Sequence, residues 1–186
     1  MCTVIADLLI PFVAIGLAEL GDKTQLSILL LSSRTTKHLQ LLTGVSLAFL
    51  VVDGVAVLLG SWITAFVPMS LFKIASGAVF VIFGLLTLRT DKEKEEGKLQ
   101  FKSSLLSGFA LIFMMEWGDK TQIASALFAA KYDPAMVLLG TMTALILASM
   151  MAIYLGRLIS DRIDRRLMTK IAGAVFVLIG ISFFLL

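Results

Sequence analysis

Two runs of the chain combine residues that could do chemistry: Glu19-Leu20-Gly21-Asp22-Lys23-Thr24-Gln25, and Glu116-Trp117-Gly118-Asp119-Lys120-Thr121-Gln122. Each places two carboxylates, an ammonium, a hydroxyl and an amide within sequence otherwise apolar enough to cross a membrane. An ionisable side chain at a bilayer centre costs roughly 2.5 to 3.5 kcal/mol, so it normally faces a bundle interior or a wet cavity. Six such groups, near the midpoints of the apolar stretches 8–31 and 105–130, suggest one site.

Spacing and residue type narrow the chemistry. Glu19 and Asp22 are three apart, as are Glu116 and Asp119, so on a continuous helix each pair shares a face. If the two copies meet, four carboxylates surround one point. With one His and one Cys in the chain, any metal site must be built from oxygen, which suits Ca2+, Mg2+ or Mn2+ rather than Zn2+ or Cu+. Four carboxylates and the two lysines, Lys23 and Lys120, sum to two negative charges, which one divalent cation neutralises. Two protons can do the same, because like charges crowded in low dielectric resist simultaneous ionisation. Competition of metal and proton for the same oxygens is the minimal basis of cation/proton exchange.

The neighbouring residues have two readings each. Thr24, Gln25, Thr121 and Gln122 can supply neutral oxygens or orient the acids, or merely hydrogen-bond between helices. Lys23 is placed to pair with Glu19 four residues earlier, and either lysine can be a fixed counter-charge or a partner that metal displaces. Gly21 and Gly118 allow close helix approach or access to backbone carbonyls. Asp53, mid-span in the second apolar helix, has Ser149 as its repeat counterpart and is a candidate proton relay; a structural bond across helices is its other reading. Met114 or Met115 near the site would favour Mn2+ by softness, although packing is the commoner role of methionine.

The elements that must position these groups follow from composition. The chain has 186 residues, 59% of them hydrophobic, with a mean hydropathy of +0.98; these are values of an integral membrane protein. Apolar runs predict six transmembrane helices, near 8–31, 41–66, 71–88, 105–130, 135–159 and 170–186. No Lys or Arg precedes the first run, so it is read as a retained helix rather than a cleaved signal. Cys2 has no partner for a disulfide or a metal. The net charge of +3 sits in links rather than in an aromatic-interleaved patch, which argues against nucleic acid.

The halves repeat. Lys73-Ile74-Ala75-Ser76-Gly77-Ala78-Val79-Phe80 returns, one residue shorter, as Lys170-Ile171-Ala172-Gly173-Ala174-Val175-Phe176; Gly44 matches Gly140, and Leu59-Gly60 matches Leu155-Gly156. The fold expected is an all-α membrane protein, one transporter domain over 1–186, made of two inverted three-helix repeats, 1–88 and 103–186. A charged cytoplasmic linker, 89–102, joins them. Arg34 and Lys37, then Arg89, Lys92, Lys94, Lys98 and Lys102, then Arg157, Arg162, Arg165, Arg166 and Lys170 fall on one side, against Lys73 and Lys131 on the other. The positive-inside rule then puts both termini on the non-cytoplasmic side. Inverted repeats with polar groups at the midplane are a transporter architecture.

Glu-x-Gly-Asp-Lys-Thr, present twice in a duplicated six-span chain, resembles the Gdt-type cation/proton exchanger family, once called uncharacterised protein family 0016 and also described as transmembrane protein 165-like. The resemblance covers essentially the whole chain. It implies Mn2+ or Ca2+ transport against protons, with Glu19, Asp22, Glu116 and Asp119 as cation ligands. The short length and lack of an organelle-targeting extension resemble the bacterial manganese-exporter branch, which implies a bacterial inner membrane. The expected function is export of Mn2+, or of Ca2+, by proton antiport, with no cofactor beyond the transported ion, no nucleic-acid partner and a homodimer as one oligomeric option. Export of an amino acid or other small cation is the alternative in the same class. An intramembrane metal-dependent enzyme is the alternative outside it, weakened by the lack of an arginine at the depth of the acids.

Overall fold

A computed structural model describes residues 2–20, 22–33, 35–63, 66, 68–89, 103–155 and 165–185. Within them the regular structure is entirely helical: α1 (Cys2–Glu19), α2 (Lys23–Ser32), α3 (His38–Ile63), α4 (Met69–Arg89), α5 (Ser104–Glu116), α6 (Lys120–Lys131), α7 (Pro134–Met150) with a π-helical turn (Met151–Leu155), and α8 (Arg165–Leu185). Gly21, Arg34, nearly all of the charged linker, and Arg157 and Arg162 of the last basic link lie outside the described residues.

Apolar segments become helices here because a backbone in hydrocarbon must satisfy its own polar groups. Two helices, His38–Ile63 and Pro134–Tyr154, are long and apolar enough to cross a membrane, and a third span results if Val4–Glu19 and Lys23–Ser32, bent by 70°, count as one. The start of α7 is set locally: Asp133 accepts a hydrogen bond from the Met136 amide at 3.0 Å, with Pro134 in the first turn, the pairing of a capping carboxylate with proline that favours a helix start.

The stretches 8–31 and 105–130, read as continuous helices, are each broken at the charged motif. The first helix of each pair ends on the glutamate, Glu19 or Glu116, and the aspartate, Asp22 or Asp119, is the N-cap of the next. The two acids of each motif therefore do not share one helical face. In the second copy the physical cause is visible: Gly118 has φ +83°, a left-handed conformation that side-chain-bearing residues avoid.

Packing is reciprocal between the halves. Gly140 of α7 lets the α1 backbone approach at the Leu8 carbonyl, and Gly44 of α3 does the same for α5 at the Leu105 carbonyl. In the α4–α8 pair, Gly84 faces the Gly173 carbonyl and Gly180 faces the Gly77 carbonyl. Small residues at such crossings allow close helix contact where lipid removes the usual hydrophobic drive. Phe80 and Phe176 meet with ring centroids 5.8 Å apart, and Phe80 lies 5.0 Å from Phe128, tying α4 and α8 to α6. Leu58, Trp62, Leu71 and Leu178 are each more than half exposed, an apolar exterior that suits lipid.

Candidate cation site at two helix breaks

The aspartates of the two breaks share a backbone conformation. Asp22 has φ −75° and ψ 167°, and Asp119 has φ −77° and ψ 169°. The Asp22 amide donates to the Glu19 carbonyl at 3.2 Å, and the Asp119 amide to the Glu116 carbonyl at 3.1 Å. Each aspartate stands at the positive end of a helix dipole, and the two differ in their side chains: Asp22 accepts from the Lys23 amide at 2.7 Å, whereas Asp119 makes no capping bond.

Three of the four acids converge. Carboxylate oxygens of Glu19, Asp22 and Asp119 lie within 4.8 Å of one another. Two oxygens bound to one Ca2+ at about 2.4 Å each are at most about 4.8 Å apart, so the three meet the separation that sharing one hard cation requires. Glu19 is buried, and its Oε1 has no hydrogen-bond partner. Asp22 and Asp119 keep about a fifth of their side chains exposed, which leaves the cluster open on one side.

The Lys120 ammonium sits among these oxygens. It hydrogen-bonds Asp22 Oδ2 and lies 3.9 Å from Asp119 Oδ2. Lysine from one half thereby neutralises aspartate from the other. Lys23 begins α2 and is half-buried.

Glu116 is held differently. It is buried, with Thr24 donating to Oε1 at 2.5 Å and Thr121 donating to Oε2 at 3.0 Å. The two threonines of the duplicated motif thus meet on one carboxylate. Gln122 is engaged at both ends: its Oε1 accepts from the Gly118 amide at 2.6 Å, and its Nε2 donates to the Val52 carbonyl at 3.3 Å. It braces the break against α3. Gln25 is half-buried on α2. Of the methionines, Met114 is exposed and Met115 is buried.

Asp53 is buried on α3 and accepts from Ser125 Oγ at 2.8 Å. Ser125 was not singled out by its type, yet it lies four residues after Thr121 and so on the same face of α6. Ser149, the counterpart of Asp53, donates to the Leu145 carbonyl of its own helix at 2.7 Å.

Apolar helices broken at buried acids, with a lysine among carboxylates from both halves, define an integral membrane protein of the cation-transporter class. The chain matches the divalent cation/proton antiporter family GDT1 over residues 7–95 and 104–185, and it belongs to that family. It is 31% identical over 181 residues to a Vibrio cholerae protein named "Putative manganese exporter", covering 96% of this chain and 90% of that one. It is 30% identical to a GDT1-like protein of Synechocystis over 90% of this chain and 91% of that one. A GDT1-like protein of Schizosaccharomyces pombe is 25% identical over 89% of this chain and 84% of its own length. No solved structure matches. Membership makes the protein a transporter rather than an enzyme, with divalent cations and protons as the family's transported species.

Proposed function

We propose that the protein exports Mn2+ from the cytoplasm, with Ca2+ a second cargo, in exchange for protons. The observation that carries this reading is the cluster of Glu19, Asp22 and Asp119 around the Lys120 ammonium: acids from both halves, at cation-binding separation, already holding a positive charge. An all-oxygen set favours a hard or borderline divalent ion. The name of the Vibrio relative supports manganese.

The architecture proposed is six spans in two inverted three-helix repeats, each motif forming the break of a discontinuous first helix. The matched dihedrals at Asp22 and Asp119 and the reciprocal glycine contacts support it. Discontinuous helices meeting where repeats join are a recurrent way to hold ions at mid-membrane. Glu116 completes the acid set, carrying a proton or joining the cation when Thr24 and Thr121 release it. Asp53 is the proposed proton relay on α3. In this proposal both termini lie on the non-cytoplasmic side of a bacterial inner membrane, and the cation is cargo rather than cofactor.

The test is uptake of Mn2+, Ca2+ and Mg2+ into proteoliposomes with an imposed pH gradient. Mn2+ uptake that follows the gradient and collapses with a protonophore is expected. Mn2+ uptake indifferent to the gradient would remove the antiport mechanism, and no uptake of any of the three would remove the function.

A further inference from the structure

The two broken helices are matched in sequence but not in seating. α6 lies against α3, joined by the Ser125–Asp53 and Gln122–Val52 hydrogen bonds at 2.8 and 3.3 Å. At Gly60 the α3 backbone comes so close to the Ala126 carbonyl that a methyl group would overlap it, and the matching Gly156 lies outside the described residues. The corresponding seam of the other half, α2 against α7, cannot repeat the Ser125–Asp53 bond. Ile28 stands where Ser125 would be and offers no donor, and Ser149 stands where Asp53 would be and bonds within its own helix.

Burial differs at the far side of the pair and not along the whole of it: Phe128 and Ala124 of α6 are buried where Leu31 and Ser27 of α2 are half-buried, while Ile28 and Ser32 are as buried as Ser125 and Ala129, and Leu26 is half-buried where Ile123 is exposed. Among the described residues α2 touches α5, α7 and the π-helical turn 151–155, while α3 remains regular α-helix at the positions matching that turn. Single π turns inside helices mark sites of local adjustment and are frequent near functional positions.

We infer that Asp53, Ser125 and Gln122 form a one-sided latch that holds α6 on α3, so that this seam is the closed gate and the α2–α7 seam is the one that opens. The inference rests on the transporter reading above, and it gives Asp53 a positioning role distinct from proton carriage. With the orientation proposed there, α2 leads from the acids to the cytoplasmic link at 32–40. The latched seam then seals the acids from the outside, and the unlatched seam gives cytoplasmic cation its way in, the arrangement an exporter needs before loading. Closing α2 on α7 while α6 leaves α3 would complete alternating access.

The test measures the closed seam directly. In a Cys2→Ser background, spin labels at Trp62→Cys and Ala130→Cys, near the ends of α3 and α6, report the distance across it. Ser125→Ala and Asp53→Ala are expected to add a longer-distance population, and Asp53→Asn, which keeps an acceptor for Ser125, to retain the wild-type distribution. In proteoliposomes, Ser125→Ala should raise KM for Mn2+ presented on the cytoplasmic side several-fold with a smaller change in maximal rate, because fewer molecules wait open to that side. Unchanged distances in Ser125→Ala overturn the latch, and this variant decides alone if Asp53→Ala does not fold. The distances are read without transport, so a wild type that moves no Mn2+ would remove the exporter reading while the latch is still judged by the spin labels.

Discussion

The Lys120 ammonium hydrogen-bonds the carboxylate of Asp22, 98 residues away in the chain. Because it also neighbours Asp119, it stands in the site proposed for the transported cation. Removing a partner from a buried ion pair leaves charge uncompensated, worth roughly 3 to 5 kcal/mol when fully buried. With a fifth of each side chain exposed, about 2 kcal/mol is the expected scale. Lys120→Met should therefore lower the thermal midpoint in chelator, and saturating Mn2+ should restore more stability to it than to wild type, by mass action on the vacated acids. An equal loss with and without Mn2+ would mean the lysine is only a structural brace.

Glu19 and Glu116 are counterparts in sequence with different surroundings. Glu116 already accepts from Thr24 and Thr121, whereas Glu19 Oε1 is buried without a partner and belongs to the three-acid cluster. Glu19→Gln should weaken Mn2+ binding tenfold or more, about 1.4 kcal/mol, and Glu116→Gln should weaken it less. Isothermal titration of the purified protein measures both, and equal losses would contradict the assignment.

Gly118 has φ +83° and open space where a Cβ would project. Gly118→Ala should thus destabilise through backbone conformation alone, by about 1 to 2 kcal/mol, and Gly118→Asn by less, since asparagine tolerates this region better. Denaturant unfolding in detergent tests the order; a neutral alanine would show that the break does not depend on the glycine.

Gly44 and Gly140 are equivalent contacts in the two halves, each against a carbonyl of the partner helix. Gly44→Ala and Gly140→Ala should each cost about 1 to 3 kcal/mol by overpacking. Gly54, on the same helix as Gly44, has nothing near its missing Cβ. Gly54→Ala should be neutral or stabilising by up to about 1 kcal/mol through helix propensity. Unfolding midpoints of the three variants check this, and equal damage from Gly54→Ala would undercut the close-approach argument.

What could be read from sequence was what hydrophobicity makes conspicuous. The acids and lysines of the duplicated motif stand out because the residues around them are apolar, and they identified the family and the positions where the chain brings acids together. The breaks after Glu19 and Glu116 did not stand out: a three-residue spacing of acids fits an unbroken helix as well as two helices meeting, and only the backbone angle at Gly118 separates the two. The long helices α3 and α7 were visible as apolar runs, with Asp53 the one acid in the first of them. Pairings across helices were not. Lys120 of one half reaches Asp22 of the other, a contact that no spacing along the chain announces. Ser125 looked like one small polar residue among many until α6 came to lie beside Asp53.

Whether acids from both halves hold the transported cation is decided by proton-driven Mn2+ movement in proteoliposomes carrying wild type, Asp22→Asn or Asp119→Asn. Mn2+ flux coupled to the pH gradient is expected in wild type and its loss in both variants, with the fold of each retained. Coupled Mn2+ flux surviving in either variant would show that the cation does not pass through the cluster at the two helix breaks.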